Sequence, residues 1–124
     1  MNVGLFYNNT ISNNAYHCIG IFDSNILSFI NNTFENNSKD GLSINLASNI
    51  SIDNNTFINN QLNGIYFDNT DNSNISNNVI LNNKIGINCV NSDINDIEGN
   101  IINSNEKGIY FKNTTSGQDR QQRH

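Results

Sequence analysis

An all-β solenoid, a parallel β-helix of about five coils with 22–23 residues in each, is the fold this sequence predicts. Three observations carry it. Asparagine recurs at Asn9, Asn32, Asn55, Asn78 and Asn100, at intervals of 23, 23, 23 and 22, and a second column, Asn14, Asn37, Asn60, Asn83 and Asn105, keeps the same spacing. Two apolar columns run in phase with them: Phe6, Phe29, Ile52, Ile75, Ile97 and Ile11, Phe34, Phe57, Ile80, Ile102. Between these marks the sequence alternates apolar and polar residues in runs too short to pair within one coil, so each run must pair with the coils above and below.

The elements of one coil follow in order along residues 41–63. A glycine opens it. Gly20, Gly41, Gly64, Gly86 and Gly108 recur at intervals of 21, 23, 22 and 22, and a positive φ at the head of the first strand is the expected reason. Leu42-Ser43-Ile44 then alternates inward and outward and predicts the first strand. The Ala-Ser-Asn stretch that follows predicts a turn, and Ile50-Ser51-Ile52 the second strand. Asp53, Asn54 and Asn55 make the next turn, since Asn and Asp tolerate the left-handed region and form Asx turns. A third strand is centred on Phe57, and Asn59-Asn60 closes the coil. Copies of a residue in successive coils lie about 4.8 Å apart, so an inward asparagine passes an amide hydrogen bond to its copy. No segment offers apolar residues at i, i+3, i+4 and i+7 over ten residues, so helices are not expected.

Composition narrows the function. Asparagine supplies 31 of 124 residues, and proline and tryptophan are absent. Fixed apolar columns separate this chain from a disordered polar tract of similar bias. A net charge of −5, with no arginine before Arg120, argues against a surface for nucleic-acid phosphates. No apolar run approaches the ~18–20 residues of a membrane span. The N-terminus lacks the basic and apolar regions of a signal peptide, and the repeat is in register by Phe6, as in a fragment of a longer array. Cys18 and Cys89 fall about three coils apart, roughly 14 Å, beyond the ~7 Å reach of a disulfide. Cys89 is expected as a small core residue.

The repeat text Gly-Ile-x-φ … Asn-Ile-Ser-Ile-x-Asn-Asn-x-φ-x-Asn-Asn, covering about residues 2–115, resembles the right-handed parallel β-helix of pectin-lyase-like proteins. Within that group it is similar to NosD-like proteins and to the Asn-rich, adhesin-like surface proteins described in methanogenic archaea. The resemblance implies residues 1–115 as one β-helix and an extracellular or cell-surface location. In related β-helices sugar polymers often lie along the outward face of the first strand. It implies no cofactor and, with only His17, His124, two distant cysteines and Met1 as soft ligands, no metal site. A pectate-type lyase would want an arginine or lysine base beside a calcium-binding acid cluster, and the repeats hold no arginine.

Two and four residues after each glycine, outward side chains should stack into a face. From Gly64 these are Tyr66 and Asp68, from Gly86 Asn88 and Val90, from Gly108 Tyr110 and Lys112; Ser43 and Asn45 begin the rows. Tyr66, Asp68, Asn88, Tyr110 and Lys112 are the candidate ligand-binding set, because exposed tyrosines offer an apolar ring and a polar tip to a sugar. The competing explanation for the tyrosines is strand propensity on an exposed sheet.

Asp71 and Asp93 share one offset from their glycines and should stack about 5 Å apart, near the ~5–5.5 Å used by retaining glycosidases. They are the catalytic candidates of an alternative reading, a polysaccharide hydrolase or epimerase. The structural explanation is an Asx turn in Asn69-Thr70-Asp71 and Asn91-Ser92-Asp93, which Thr115 at the same position in the next coil suits. Asp53, Ser76 and Glu98 form a further column whose two acids lie two coils apart. Lys39, Lys84 and Lys107 precede the glycines as solvated charges. The threonine column Thr10, Thr33, Thr56 is broken by Val79 and Ile101, against an ice-binding array. Asn-x-Ser/Thr sequons at Asn8, Asn31, Asn36, Asn49, Asn54, Asn74 and Asn113 follow from the repeat text itself.

Residues 116–124 leave the repeat as a polar tail. A β-helix exposes strand edges at both ends, so end-to-end self-association or adjoining repeats are the expected partners. The function expected from the whole is a non-catalytic, adhesin-like surface module that offers an extended face to carbohydrate or protein.

Overall fold

The computed structural model describes residues 3–16 and 19–114. Within them lie fourteen strands and no helix: β1 (Gly4–Tyr7), β2 (Thr10–Ser12), β3 (Ile19–Phe22), β4 (Asn25–Ile30), β5 (Thr33–Glu35), β6 (Leu42–Asp53), β7 (Thr56–Ile58), β8 (Asn63–Asp71), β9 (Ser73–Ser76), β10 (Val79–Leu81), β11 (Ile85–Val90), β12 (Ile94–Glu98), β13 (Ile101–Asn103) and β14 (Lys107–Lys112). Every pairing is parallel and joins a strand to its copy one coil away. The chain is a parallel β-helix with three faces. β3, β6, β8, β11 and β14 make the first, β1, β4, β6, β9 and β12 the second, β2, β5, β7, β10 and β13 the third.

The first and second faces fuse into one nine-stranded sheet. The sequence suggests a separate strand for each face; instead β6 turns the corner unbroken, pairing β3 with its first half and β4 with its second. Beyond the unpaired Leu46–Asn69 step at that corner, pairing resumes where Ala47 meets Thr70 and Ser48 meets Asp71.

The core is a set of axial columns. Phe29, Ile52, Ile75 and Ile97 are fully or almost fully buried, as are Phe34, Phe57, Ile80 and Ile102. Parallel strands in register set equal side chains face to face. Phe6 stacks on Phe29 and Phe34 on Phe57, both with ring centroids 4.7 Å apart. Cys89 is buried among these apolar residues, as its alternation implies, and burial pushes its thiol up to about 12. Cys18, the other half of the disulfide question, lies outside the described residues.

Each Asn-Asn doublet divides its work. The first member sits at a left-handed corner and faces out: Asn8, Asn31, Asn54 and Asn77 have φ of 57–64°. The second points inward. Asn55 donates its backbone N–H and its Nδ2 to Asn78 Oδ1 and also gives Nδ2 to the Phe29 carbonyl at 2.7 Å, while its own Oδ1 accepts both groups of Asn32. The second column repeats this, with Asn60 donating to Asn83 Oδ1 and to the Phe34 carbonyl. A buried carboxamide thereby meets its needs without water, which is what makes asparagine tolerable inside. At the remaining corner the inward position carries hydroxyls: the Thr70 N–H donates to Ser92 Oγ at 3.0 Å, and Thr70 Oγ1 donates to the Ile44 carbonyl.

Two expectations about glycine are corrected. Gly41, Gly64 and Gly86 do not take a positive φ; among the described glycines only Gly99 does. Their constraint is closeness. A Cβ on Gly41 would stand 2.8 Å from the Gly64 carbonyl oxygen, one on Gly64 2.8 Å from that of Gly86, and one on Gly86 2.6 Å from that of Gly108. Gly20 does not belong to this column, since it pairs with Ser43 and faces outward. Its interval of 21 carried that slip.

Candidate functional site

The outward side of the first face is two in-register rows. Ser43, Tyr66, Asn88 and Tyr110 form one, and Asn45, Asp68, Val90 and Lys112 the other. All five candidate ligand-binding residues, Tyr66, Asp68, Asn88, Tyr110 and Lys112, are therefore neighbours on one surface. The first four are half-buried and Lys112 is exposed. Strand alternation puts them outward, and parallel pairing sets each about 4.8 Å from its row neighbour.

Charge is graded along the rows. Asp40 and Asp68 lie toward the earlier coils, Lys107 and Lys112 in the last described one. Lys107 Nζ sits 4.9 Å from the centre of the Tyr110 ring, a cation–π contact. Lys39 holds the Tyr16 ring likewise at 5.1 Å. These lysines remain exposed, yet each uses an aromatic neighbour that sequence reasoning did not assign to it. At the other end, burial first, and then the carboxylates of Asp68 and Asp40, hold the Tyr66 phenol above its usual range.

A polar relay behind the face also escaped the sequence reading. Asp40 is buried, and its Oδ1 accepts the Asn63 backbone N–H at 3.0 Å and Asn63 Nδ2 at 2.8 Å. Asn63 Oδ1 in turn accepts Asn88 Nδ2 at 3.2 Å. Asn88 Oδ1 and, in the other row, Asn45 Oδ1 are buried without a hydrogen-bond partner. The available signal was the residue before each glycine: Asp40 and Asn63 occupy equivalent positions there, with Ile85 and Lys107 following.

Asp71 and Asp93 do lie one coil apart at the corner after the first face. Asp71 Oδ1 accepts the Asp93 backbone N–H at 2.8 Å, and the Asp71 carbonyl accepts Ser73 Oγ at 3.0 Å. That is turn chemistry of the kind the Asx explanation requires. Thr115 lies outside the described residues.

Asp53, Ser76 and Glu98 stack in register on the second face. Asp53 Oδ1 accepts Ser76 Oγ at 3.1 Å and Asn77 Nδ2 at 3.0 Å. With Ser51, Asn74 and Asp96 they edge a shallow trough of about 450 Å³. A second trough of about 590 Å³ runs along the corner before the glycines, past Asn59, Gln61, Asn82, Lys84, Ser104 and Glu106. Among the described residues no group of three or more His, Cys, Asp or Glu could hold a metal ion, and no helix is long and apolar enough to cross a membrane. His17, His124 and the tail 116–124 lie outside the described residues.

A family model described as a right handed beta helix region matches residues 2–119. No curated protein and no solved structure matches the chain.

Proposed function

The chain belongs to the right-handed β-helix family, and from that premise we propose that it is a non-catalytic, adhesin-like surface module that presents its first face to carbohydrate. The observation carrying this reading is the pair of rows. Tyr66 and Tyr110 flank the Asn88 carboxamide, with Asp68 and Lys112 alongside, on a side-chain lattice held rigid by parallel strands. Aromatic rings interleaved with amide, acid and amine groups are what a hydroxylated polymer needs for stacking and hydrogen bonding. Display at the cell surface, with further coils of the same design or a second copy as axial neighbours, belongs to the same proposal.

A hydrolase or epimerase centred on Asp71 and Asp93 is the weaker reading. Both acids are exposed on a corner, and Asp71 already spends one oxygen on the Asp93 N–H. A glycan array followed by a turnover assay on every hit tests the proposal. The expected result is binding without product, weakened when Tyr66 and Tyr110 are replaced by serine. Product formation that disappears in Asp71→Asn and Asp93→Asn would overturn it.

A further inference from the structure

Hydrogen bonds fix the direction in which two amides behind the first face point. A carboxylate can only accept, so the buried Asp40 fixes which way Asn63 points: Nδ2 toward Asp40 Oδ1 at 2.8 Å. Asn63 must then turn Oδ1 toward Asn88, and it accepts Asn88 Nδ2 at 3.2 Å. That bond turns Asn88 Nδ2 toward Asn63 and leaves its Oδ1 as the buried atom without a partner. In row terms it lies between the Tyr66 and Tyr110 positions, as Asn45 lies beside Asp68. A free-standing asparagine can point either end of its amide at a ligand, whereas the orientation of this one is set. Asn45, Tyr66, Asp68 and Asn88 thus form one contiguous patch with two unfilled carbonyl oxygens and a carboxylate, bounded beyond Val90 by Lys112.

The same row shows what satisfies its tyrosines. Tyr110 carries the Lys107 ammonium 4.9 Å from its ring centre, supplied by the residue three positions earlier. Three positions before Tyr66 stands Asn63, which carries no charge. In a chain of net charge −5, with Asp40 and Asp68 both acting on the Tyr66 phenol, the field at this patch favours a cation. From this arrangement we infer that the patch of Asn45, Tyr66, Asp68 and Asn88 binds a protonated primary amine, and that the carbohydrate recognised is an amino-sugar polymer. This rests on the carbohydrate reading given above. The ammonium lies against Tyr66 and donates to Asp68 and to the Asn88 carbonyl oxygen on the diagonal beside it, which a side-chain rearrangement must first uncover because that oxygen is buried. Asp40 and Asn63 act as positioning residues, without touching the ligand.

The test compares the whole chain's affinity for a glucosamine oligomer, its amines protonated, with that for the N-acetylglucosamine oligomer of equal length, by calorimetry. The expected preference for the charged oligomer is about three- to fivefold for each amine engaged. Asp68→Asn should abolish the preference, and Glu35→Gln, an acid on the third face, should leave it intact. Asp40→Asn tests the relay and the Asp40 charge together. It keeps the shape and the Asp68 charge, removes one buried charge and frees Asn63 and Asn88 to reverse, so the preference should fall while the neutral oligomer binds as before. Circular dichroism of each variant establishes that it is folded. Equal binding of the two oligomers would overturn the inference and leave the carbohydrate reading standing. Binding of neither oligomer would overturn the inference too, and the glycan array then decides the carbohydrate reading separately. Oligolysine binding as tightly as the glucosamine oligomer would overturn the assignment to a sugar.

Discussion

Asn55 gives both its backbone N–H and its side-chain Nδ2 to a single oxygen, Asn78 Oδ1, at 2.8 and 3.1 Å. Asn78 does the same toward Asn100 Oδ1, at 2.9 Å for each bond. The unit of stability is therefore the step between coils, and one side chain serves two steps.

Replacing Asn78 by leucine removes the one oxygen that accepts both Asn55 groups, and the Nδ2 that donates to Asn100 Oδ1 and the Ile52 carbonyl, in a buried column. Each orphaned group costs about 1–3 kcal/mol, so a loss of about 3 kcal/mol or more is expected in urea unfolding. Asn74→Ala, at an exposed outward position on β9, should stay within about 0.5 kcal/mol. Equal losses at the two sites would show that the ladder does not matter.

Gly64→Ala places a methyl 2.8 Å from the Gly86 carbonyl oxygen and 3.1 Å from Ile80 Cγ2. Backbone must move, at a cost of about 1–3 kcal/mol. Gly20→Ala faces outward and should be neutral within about 0.5 kcal/mol. The midpoint of thermal or urea unfolding reads both.

Leu46 holds φ at 55° in the corner column otherwise occupied by Asp23, Asn69, Asn91 and Asn113. Left-handed backbone costs a branched side chain about 1–2 kcal/mol, and asparagine less. Leu46 is also 48% exposed, so little packing is lost on replacing it. Leu46→Asn should raise stability by about 0.5–1 kcal/mol; a lowered unfolding midpoint would contradict the corner argument.

Burial raises the Cys89 thiol from 9.0 to about 12 in the folded chain. Below pH 9 both states keep the proton and the fold loses nothing. Between pH 9 and 12 only the unfolded chain releases it, so stability falls as pH rises through that window. Wild type should lose more stability than Cys89→Ala on passing from pH 8 to pH 11, and Cys89 should resist alkylation until denaturant is added. Rapid alkylation of the native protein would refute the burial argument.

Coil length, both asparagine ladders and the inward columns were legible because parallel stacking repeats one residue's environment every 22–23 positions. The face was legible too, since Tyr66, Asn88 and Tyr110 follow from alternation after a glycine. Asp40 and Asn63 were not, because their column before the glycines turns to Ile85 and Lys107, and the step from Asn63 to Asn88 crosses columns and leaves no period. The glycine rule failed in a way that physics explains. A glycine wanted for φ and one wanted for closeness look alike in text, and only the neighbouring coil's carbonyl distinguishes them. The Asn-Asn doublets concealed a similar split, one residue bending the backbone and the next filling the interior.

The pairing register also governs how such a chain can change length. Contacts run only between adjacent coils, so duplicating one 23-residue stretch of the gene would add a rung in phase with every column at once. An odd insertion inside a strand would turn the inward side chains outward up to the next corner able to absorb it. The change from a 23- to a 22-residue period shows where a lost residue is absorbed: the Lys84 and Ile85 N–H groups both take the Leu62 carbonyl. Lineages carrying this repeat should therefore differ by whole coils, with single-residue length changes confined to corners such as the one at Lys84 and Ile85.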